Sequence, residues 1–182
     1  MKLLGISGSL RAGSLNTQLL KVAAGVAANE GVELTLFDIS EVPLYNGDLD
    51  GDVKPAAVQA LLDAIAQADG LVLATPEYNY SISGVLKNTL DWASRPAFNS
   101  VLTHKPCAVL SASMSALGGA RAQMHLRSVL AATLSPVYLE PDYLLAAAHT
   151  AFNDDGELKS ADHQQRLEQF MRGYLSWLKK QS

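Results

Sequence analysis

Residues 7–20 read SGSLRAGSLNTQLL and decide the reading of the whole chain. An apolar run (Leu3, Leu4, Ile6) breaks there into small polar residues, and apolar positions then resume at helical spacing. The order is strand, loop, helix. Gly8 and Gly13 can take positive φ and let backbone approach a ligand, while Ser9, Ser14, Asn16 and Thr17 supply hydroxyl and amide groups without bulk. Arg11 adds a fork of donors. A helix beginning between positions 14 and 16 would aim its unpaired N–H groups and the positive end of its dipole at the same spot, so the stretch reads as a phosphate loop. The competing reading is an ordinary strand-to-helix turn with a Ser or Asn cap, since the stretch matches neither common glycine-rich nucleotide fingerprint.

Outward from this loop, residues 1–6 have the compact apolar character of a strand buried on both faces. Helix 16–29 follows, with Leu19, Leu20, Ala23, Val26 and Ala27 on one stripe. Residues 32–37 alternate as a strand nearer the sheet edge, and 38–52, with four aspartates, Pro43, Asn46 and Gly47, read as a surface loop. Pro55 is expected at the first helical position of a helix over 56–68. Residues 71–74 (LVLA) make the central strand, 75–83 (TPEYNYSIS) a second loop and 84–94 a helix. A fourth strand over 107–110, a small-residue loop over 111–119, a helix over 120–132 and a short fifth strand over 136–139 continue the alternation. A long helix over 160–179, buried through Leu167, Phe170, Met171, Tyr174 and Leu178, closes it. Five strands alternating with helices predict a doubly wound parallel sheet, order 2-1-3-4-5, in one α/β domain spanning 1–182.

Composition narrows the function. With 48% hydrophobic residues, 18% charged and no apolar run near the roughly 18–20 residues of a membrane span, the expectation is a soluble protein without membrane contact. The N-terminal apolar segment is only a strand long, which argues against a signal peptide. A net charge of −4 without a Lys/Arg cluster gives no reason to expect nucleic acid. Four scattered histidines predict no metal site. The single cysteine, Cys107, lies in an apolar run and reads as buried strand filler; one cysteine fits a reducing, cytoplasmic location.

In a doubly wound sheet ligands bind beyond the strand C-termini at the switch of strand order. That places residues 9–17 beside 76–80, with 113–119 one strand further. The first loop suits a phosphomonoester. In the second, Pro76, Tyr78 and Tyr80 offer flat surface, and Glu77 and Asn79 can orient edges. Gly118 and Gly119 would let a planar ring lie against backbone. Phosphate at one end and a planar ring at the other describe FMN.

The stretches GSLRAGSLN, PEYNYSISGVLKNTLDW and SMSALGGARAQMHLR, in this order and spacing, closely resemble the NADPH-dependent FMN reductase family, especially its quinone, chromate and azo-dye reductase members. The resemblance implies a flavodoxin-like fold, bound FMN, NADPH or NADH as reductant, and a homodimer or homotetramer. It assigns the FMN phosphate to Ser9, Arg11, Ser14, Asn16 and Thr17. It assigns the isoalloxazine and its edge to Pro76, Glu77, Tyr78 and Asn79, with Tyr80 beside them and Ser113, Gly118 and Gly119 nearby. In the family the helix carrying Leu86, Leu90 and Trp92 tends to face the partner subunit; burial of Trp92 in its own core is the alternative. The expected chemistry is ping-pong transfer of two electrons from NAD(P)H through FMN to small acceptors such as quinones, chromate, azo or nitro compounds or free flavin. No side chain is expected as acid, base or nucleophile: Glu77 reads as a carboxylate pinned by neighbouring amides or facing the partner subunit, with protons delivered from water. Arg121 and Arg127 read as partners in solvated or intersubunit ion pairs, with NADPH phosphates as the other use. The rival function is a flavodoxin-like carrier of single electrons, for which a charge of −4 is modest.

Overall fold

A computed structural model of the protein describes residues 1–181. Among them, strands β1 (Lys2–Ser7), β2 (Glu33–Phe37), β3 (Gly70–Thr75), β4 (Cys107–Ala112) and β5 (Tyr143–Leu145) alternate with helices α1 (Leu15–Asn29), α2 (Ala56–Gln67), α3 (Gly84–Ala93), α4 (Ala120–Ala132) and α5 (Ala161–Leu178). All strand pairs are parallel, in the order β2-β1-β3-β4-β5. The order reverses between β1 and β3, where Ser7 pairs with Ala74 at the C-terminal edge.

Alternation along the strands divides the core between the two faces. Leu3, Val72, Ala74, Ala108 and Leu110 pack against the stripes of α1 and α5, including Leu19, Ala23, Leu167, Phe170 and Tyr174. Leu4, Ile6, Leu71, Leu73 and Val109 pack against α2, α3 and α4. Ser14, Ser83 and Ser160 cap α1, α3 and α5, each accepting a hydrogen bond from an N–H in the first turn.

Two expectations are corrected, and one left open, the place of Trp92, is decided. The fifth strand is Tyr143–Leu145, not 136–139. Val137 does pair with Cys107, but Glu140 and Pro141 then interrupt the ladder, and proline has no N–H to continue it. Pro55 is the cap residue of α2 rather than its first helical residue. Trp92 is wholly buried with Leu86 and Leu90: its Nε1–H donates to the Pro43 carbonyl at 2.8 Å and Tyr45 meets its ring edge-on at 4.8 Å. The loop at 38–52, which includes a 3-10 turn at Gly47–Leu49, supplies these partners and so covers the indole within the chain.

Candidate active site

The three small-residue loops emerge together at the C-terminal edge of β1, β3 and β4. Two adjoining cavities lie there. One, of about 450 Å³, is lined by Ser7, Ser9, Arg11 and Thr17 and by Phe37–Ser40 after β2. The other, of about 340 Å³, is lined by Arg11, Asn16, Pro76, Glu77, Tyr78, Ala112, Ser113 and Met114. Arg11 belongs to both, and each is within the range of a small-molecule site. A smaller depression of about 250 Å³, beside Lys2, Glu33 and Gln67, lies at the N-terminal end of the strands, away from these loops.

At the first loop, Ser14 caps α1 through its Oγ, which accepts from Thr17 N–H at 3.1 Å. Thr17 Oγ1 donates to Ser7 Oγ at 2.9 Å, and Ser7 Oγ also accepts from Ser9 N–H. Ser7 thus braces the loop, a role its strand-end position conceals in the sequence. Arg11 is exposed and its guanidinium donates to the Gly13 carbonyl at 2.9 Å, which folds it back over the loop. Asn16 is buried, and its amide pairs with β4: Nδ2 donates to Ala112 O at 3.0 Å and Oδ1 accepts from Ala112 N–H at 2.9 Å. Its side chain is therefore a clasp, and its backbone N–H lies in the first turn of α1. Gly8 does not take positive φ; a Cβ there would meet Ser83 Oγ, Pro76 and Leu86 at 3.0–3.2 Å, so the residue serves close packing of β1 against α3.

The second loop is a two-residue hairpin. Tyr78 and Ser81 exchange both backbone hydrogen bonds, at 2.9 and 3.0 Å, around Asn79 (φ 49°) and Tyr80 (φ 67°). This pair of positive φ angles is that of a type I′ turn, unfavourable for an aromatic residue. Contacts hold it: the Arg121 guanidinium lies 3.9 Å over the Tyr80 ring, and His125 Nδ1 lies 3.0 Å from Ser81 Oγ. Tyr78 and Tyr80 are exposed, as are Met114 and Leu117 on the third loop.

Glu77 is pinned as expected. Its carboxylate accepts from the N–H groups of Arg121 (3.1 Å) and Ala122 (3.4 Å) at the start of α4 and from Arg121 Nε at 2.7 Å. Only 7% of the side chain is exposed. It satisfies orphan donors at a helix N-terminus and complements the dipole, a structural task that leaves it no free lone-pair direction for proton transfer.

In the third loop the glycine pair faces inward. Gly118 (φ 60°) and Gly119 (φ 92°) are both buried, and a Cβ on Gly119 would stand 2.7 Å from Ser111 Cβ. Crowding by β4 and β5 accounts for their size. Ser113 lines the cleft, its Oγ paired with Ser115. Two residues with no sequence-level assignment complete this corner: Ser111 and Gln123. Gln123 stands on the apolar stripe of α4 with Leu126 and Leu130, and a buried amide on such a stripe is the signal that marks it. Arg127 pairs with Asp142 and donates to Gln123 Oε1, so it is occupied within the chain.

The NADPH-dependent FMN reductase family model matches residues 1–150. Among known proteins, the chain is similar to an NAD(P)H-dependent FMN reductase of Pseudomonas aeruginosa, 41% identical over 180 residues, covering 99% of this chain and 96% of that one. It is also similar to a 2-hydroxy-1,4-benzoquinone reductase of a Burkholderia species, 39% identical over 179 residues and covering 98% and 97% of the two chains. Among solved structures, the flavoenzyme NAD(P)H:(acceptor) oxidoreductase of Paracoccus denitrificans superposes with a TM-score of 0.90 at 33% identity, over 98% of this chain and 97% of that one. An oxidised flavodoxin of Bacillus cereus, at 17% identity and a TM-score of 0.63 over 97% and 98%, shares the fold alone.

Proposed function

The chain belongs to the NADPH-dependent FMN reductase family, and from that premise we propose that it carries two electrons from NAD(P)H to quinones and similar small acceptors in a ping-pong cycle. It is an oxidoreductase that uses FMN and NAD(P)H. FMN, when bound, would supply the hydride and electron chemistry between NAD(P)H and the acceptor.

The fit of this chain to FMN rests on the donor set around Arg11. Arg11, Ser9 and Thr17 line one end of the cleft, and with the first N–H groups of α1, the helix that the buried Ser14 caps, they supply an anion site there. Pro76, Tyr78, Ser113 and Met114 wall the cavity that adjoins it, which suits the ring. The protein's work is then to bind and orient. Its remaining contribution is to keep one ring face accessible, where the exposed Tyr78, Tyr80 and Met114 give a planar apolar acceptor surface to slide against. An accessible face used in turn by donor and acceptor supports the ping-pong order. The engaged state of Glu77 supports proton delivery from water.

Exposed Tyr80, Met114, Leu117 and Met124 give a second copy an apolar surface near the cleft, which supports a homodimer or homotetramer; a monomeric mass in light scattering would exclude it. A single buried cysteine supports a cytoplasmic location. No helix among the described residues is long and apolar enough to cross a membrane.

The observation that carries this function is the junction of an anion cradle and a flat-walled cavity at Arg11. Its test is an anaerobic titration of the FMN-loaded protein with NADPH. Bleaching of the visible flavin absorbance at stoichiometric NADPH, restored by adding benzoquinone, is the expected result. A flavin that NADPH leaves oxidised, yet that one-electron reductants reduce, would make the protein an electron carrier.

A further inference from the structure

We infer that Gln123 and Ser111 are positioning residues that couple the two loops walling the ring end of the cleft, an inference that rests on the FMN reading for its bearing on catalysis. Gln123 is 1% exposed and every polar atom of its side chain is used. Its Nε2 donates to Ser111 Oγ and to the Tyr143 carbonyl, both at 2.8 Å, and its Oε1 accepts from Arg127 at 3.1 Å. Ser111 Oγ in turn donates to the Gly118 carbonyl at 2.6 Å. The serine hydroxyl is thus a relay: it receives a donor from α4 and fixes the carbonyl of the residue two positions before α4 begins.

The relay holds Gly118 and Gly119 in the left-handed conformation from which α4 starts, with Gly119 packed on Ser111 itself. The first N–H groups of α4, on Arg121 and Ala122, grip the Glu77 carboxylate, and the Arg121 guanidinium covers Tyr80. Tyr78 and Ser113, which line the same cavity, are therefore tied to one hydrogen-bond chain: Gln123, Ser111, Gly118, the α4 N-terminus, Glu77. Such a chain has a direct catalytic consequence, because a misplacement of about 1 Å set up far from the reacting atoms costs roughly 100-fold in rate. Arg127 and Asp142 anchor its outer end at the surface.

The test uses Ser111→Ala, which removes only the relay hydroxyl, and Gln123→Met, which keeps the shape of the side chain and removes its hydrogen bonds. The first readout needs no flavin: amide hydrogen exchange in the apo protein. Ser111→Ala is expected to speed exchange in both 113–119 and 77–81, although residue 111 touches only the first. The second readout is the FMN-loaded enzyme, with both variants expected to lower the limiting rate of flavin reduction at saturating NADPH by roughly 10- to 100-fold. FMN affinity, set at the far end by Arg11, is expected to change less, while the visible circular dichroism of bound FMN shifts. The double variant should be no slower than the slower single one, as for residues acting as a unit. Faster exchange confined to 113–119, or a lower melting temperature with an unchanged limiting rate and flavin dichroism, would overturn the inference and leave a purely structural network. Coupled exchange in a protein whose wild type NADPH does not reduce would instead overturn the functional reading and, with it, the catalytic part of this inference.

Discussion

Arg11 stands at the junction of two cavities, exposed, with one hydrogen bond to its own loop and no carboxylate partner among the described residues. A guanidinium placed so is available to a phosphate, and Arg11→Ala should weaken FMN binding by about 1.5–3 kcal/mol, the range for hydrogen bonds to charged groups. Fluorescence titration of FMN against the two proteins measures it, and equal dissociation constants would remove Arg11 from the site. Trp92 poses the opposite case, a residue whose whole worth is packing. It fills the space between α3 and the 38–52 loop, donates to Pro43 and meets Tyr45, so Trp92→Ala should cost about 3–5 kcal/mol in urea unfolding. A loss below about 1 kcal/mol, joined by a smaller particle mass, would return the indole to a subunit interface. Side-chain chemistry was legible in the sequence at both positions; which one was already spoken for was not, because Pro43 and Tyr45 reach Trp92 from across a loop.

The helix scale explains why some elements were readable and others were not. The stripes of α1 and α5 and the wholly apolar β3 carry their periodicity locally, and they lie where the pattern puts them. The fifth strand failed because 136–139 and 143–145 are equally apolar, and only the interruption at Pro141 selects between them. The glycine pair before α4 was legible as special, yet its reason lies in Ser111 and Leu144, residues that only the folded sheet brings there. Of the candidate site, the three loops and their convergence were legible, whereas the engagement of Asn16 with Ala112 and the roles of Ser111 and Gln123 depend on partners far along the chain. Glu77 belongs to this scale as well, as the cap that α4 lacks within its own sequence. Glu77→Gln should lower stability by about 1.5–3 kcal/mol, since an amide keeps one acceptor and gives up the ion pair with Arg121. The pH–rate profile of the variant should keep the wild-type shape; loss of a limb would instead mark Glu77 as a proton donor.

Over the whole molecule, burial of ionisable groups makes stability depend on alkaline pH. Burial pushes the Cys107 thiol up from 9.0 to about 12, against a smaller opposing effect of Lys105, and pushes Tyr143 up from 10.0 to about 12; Tyr174 shifts in the same direction, also by burial. Each is held neutral in the folded chain and ionises more readily once unfolded, so unfolding releases protons as pH rises. Stability should therefore be flat with respect to these groups below about pH 9 and decline from there toward pH 12. Urea midpoints across that range test it, and Cys107→Ala should delay the onset toward pH 10, where the tyrosines take over. A midpoint that holds steady through pH 11 would contradict neutral burial of all three. The Asn16 clasp carries a different consequence, one of timing. The amide that fixes the start of the anion cradle finds its partner 96 residues later, on the edge of β4. During synthesis the N-terminal half leaves the ribosome with its glycine-serine loop complete in sequence but unfastened in space. At the proposed site the loop takes its folded form only once Ala112 has emerged and β4 has docked, so FMN loading is expected to follow synthesis of the far half of the chain.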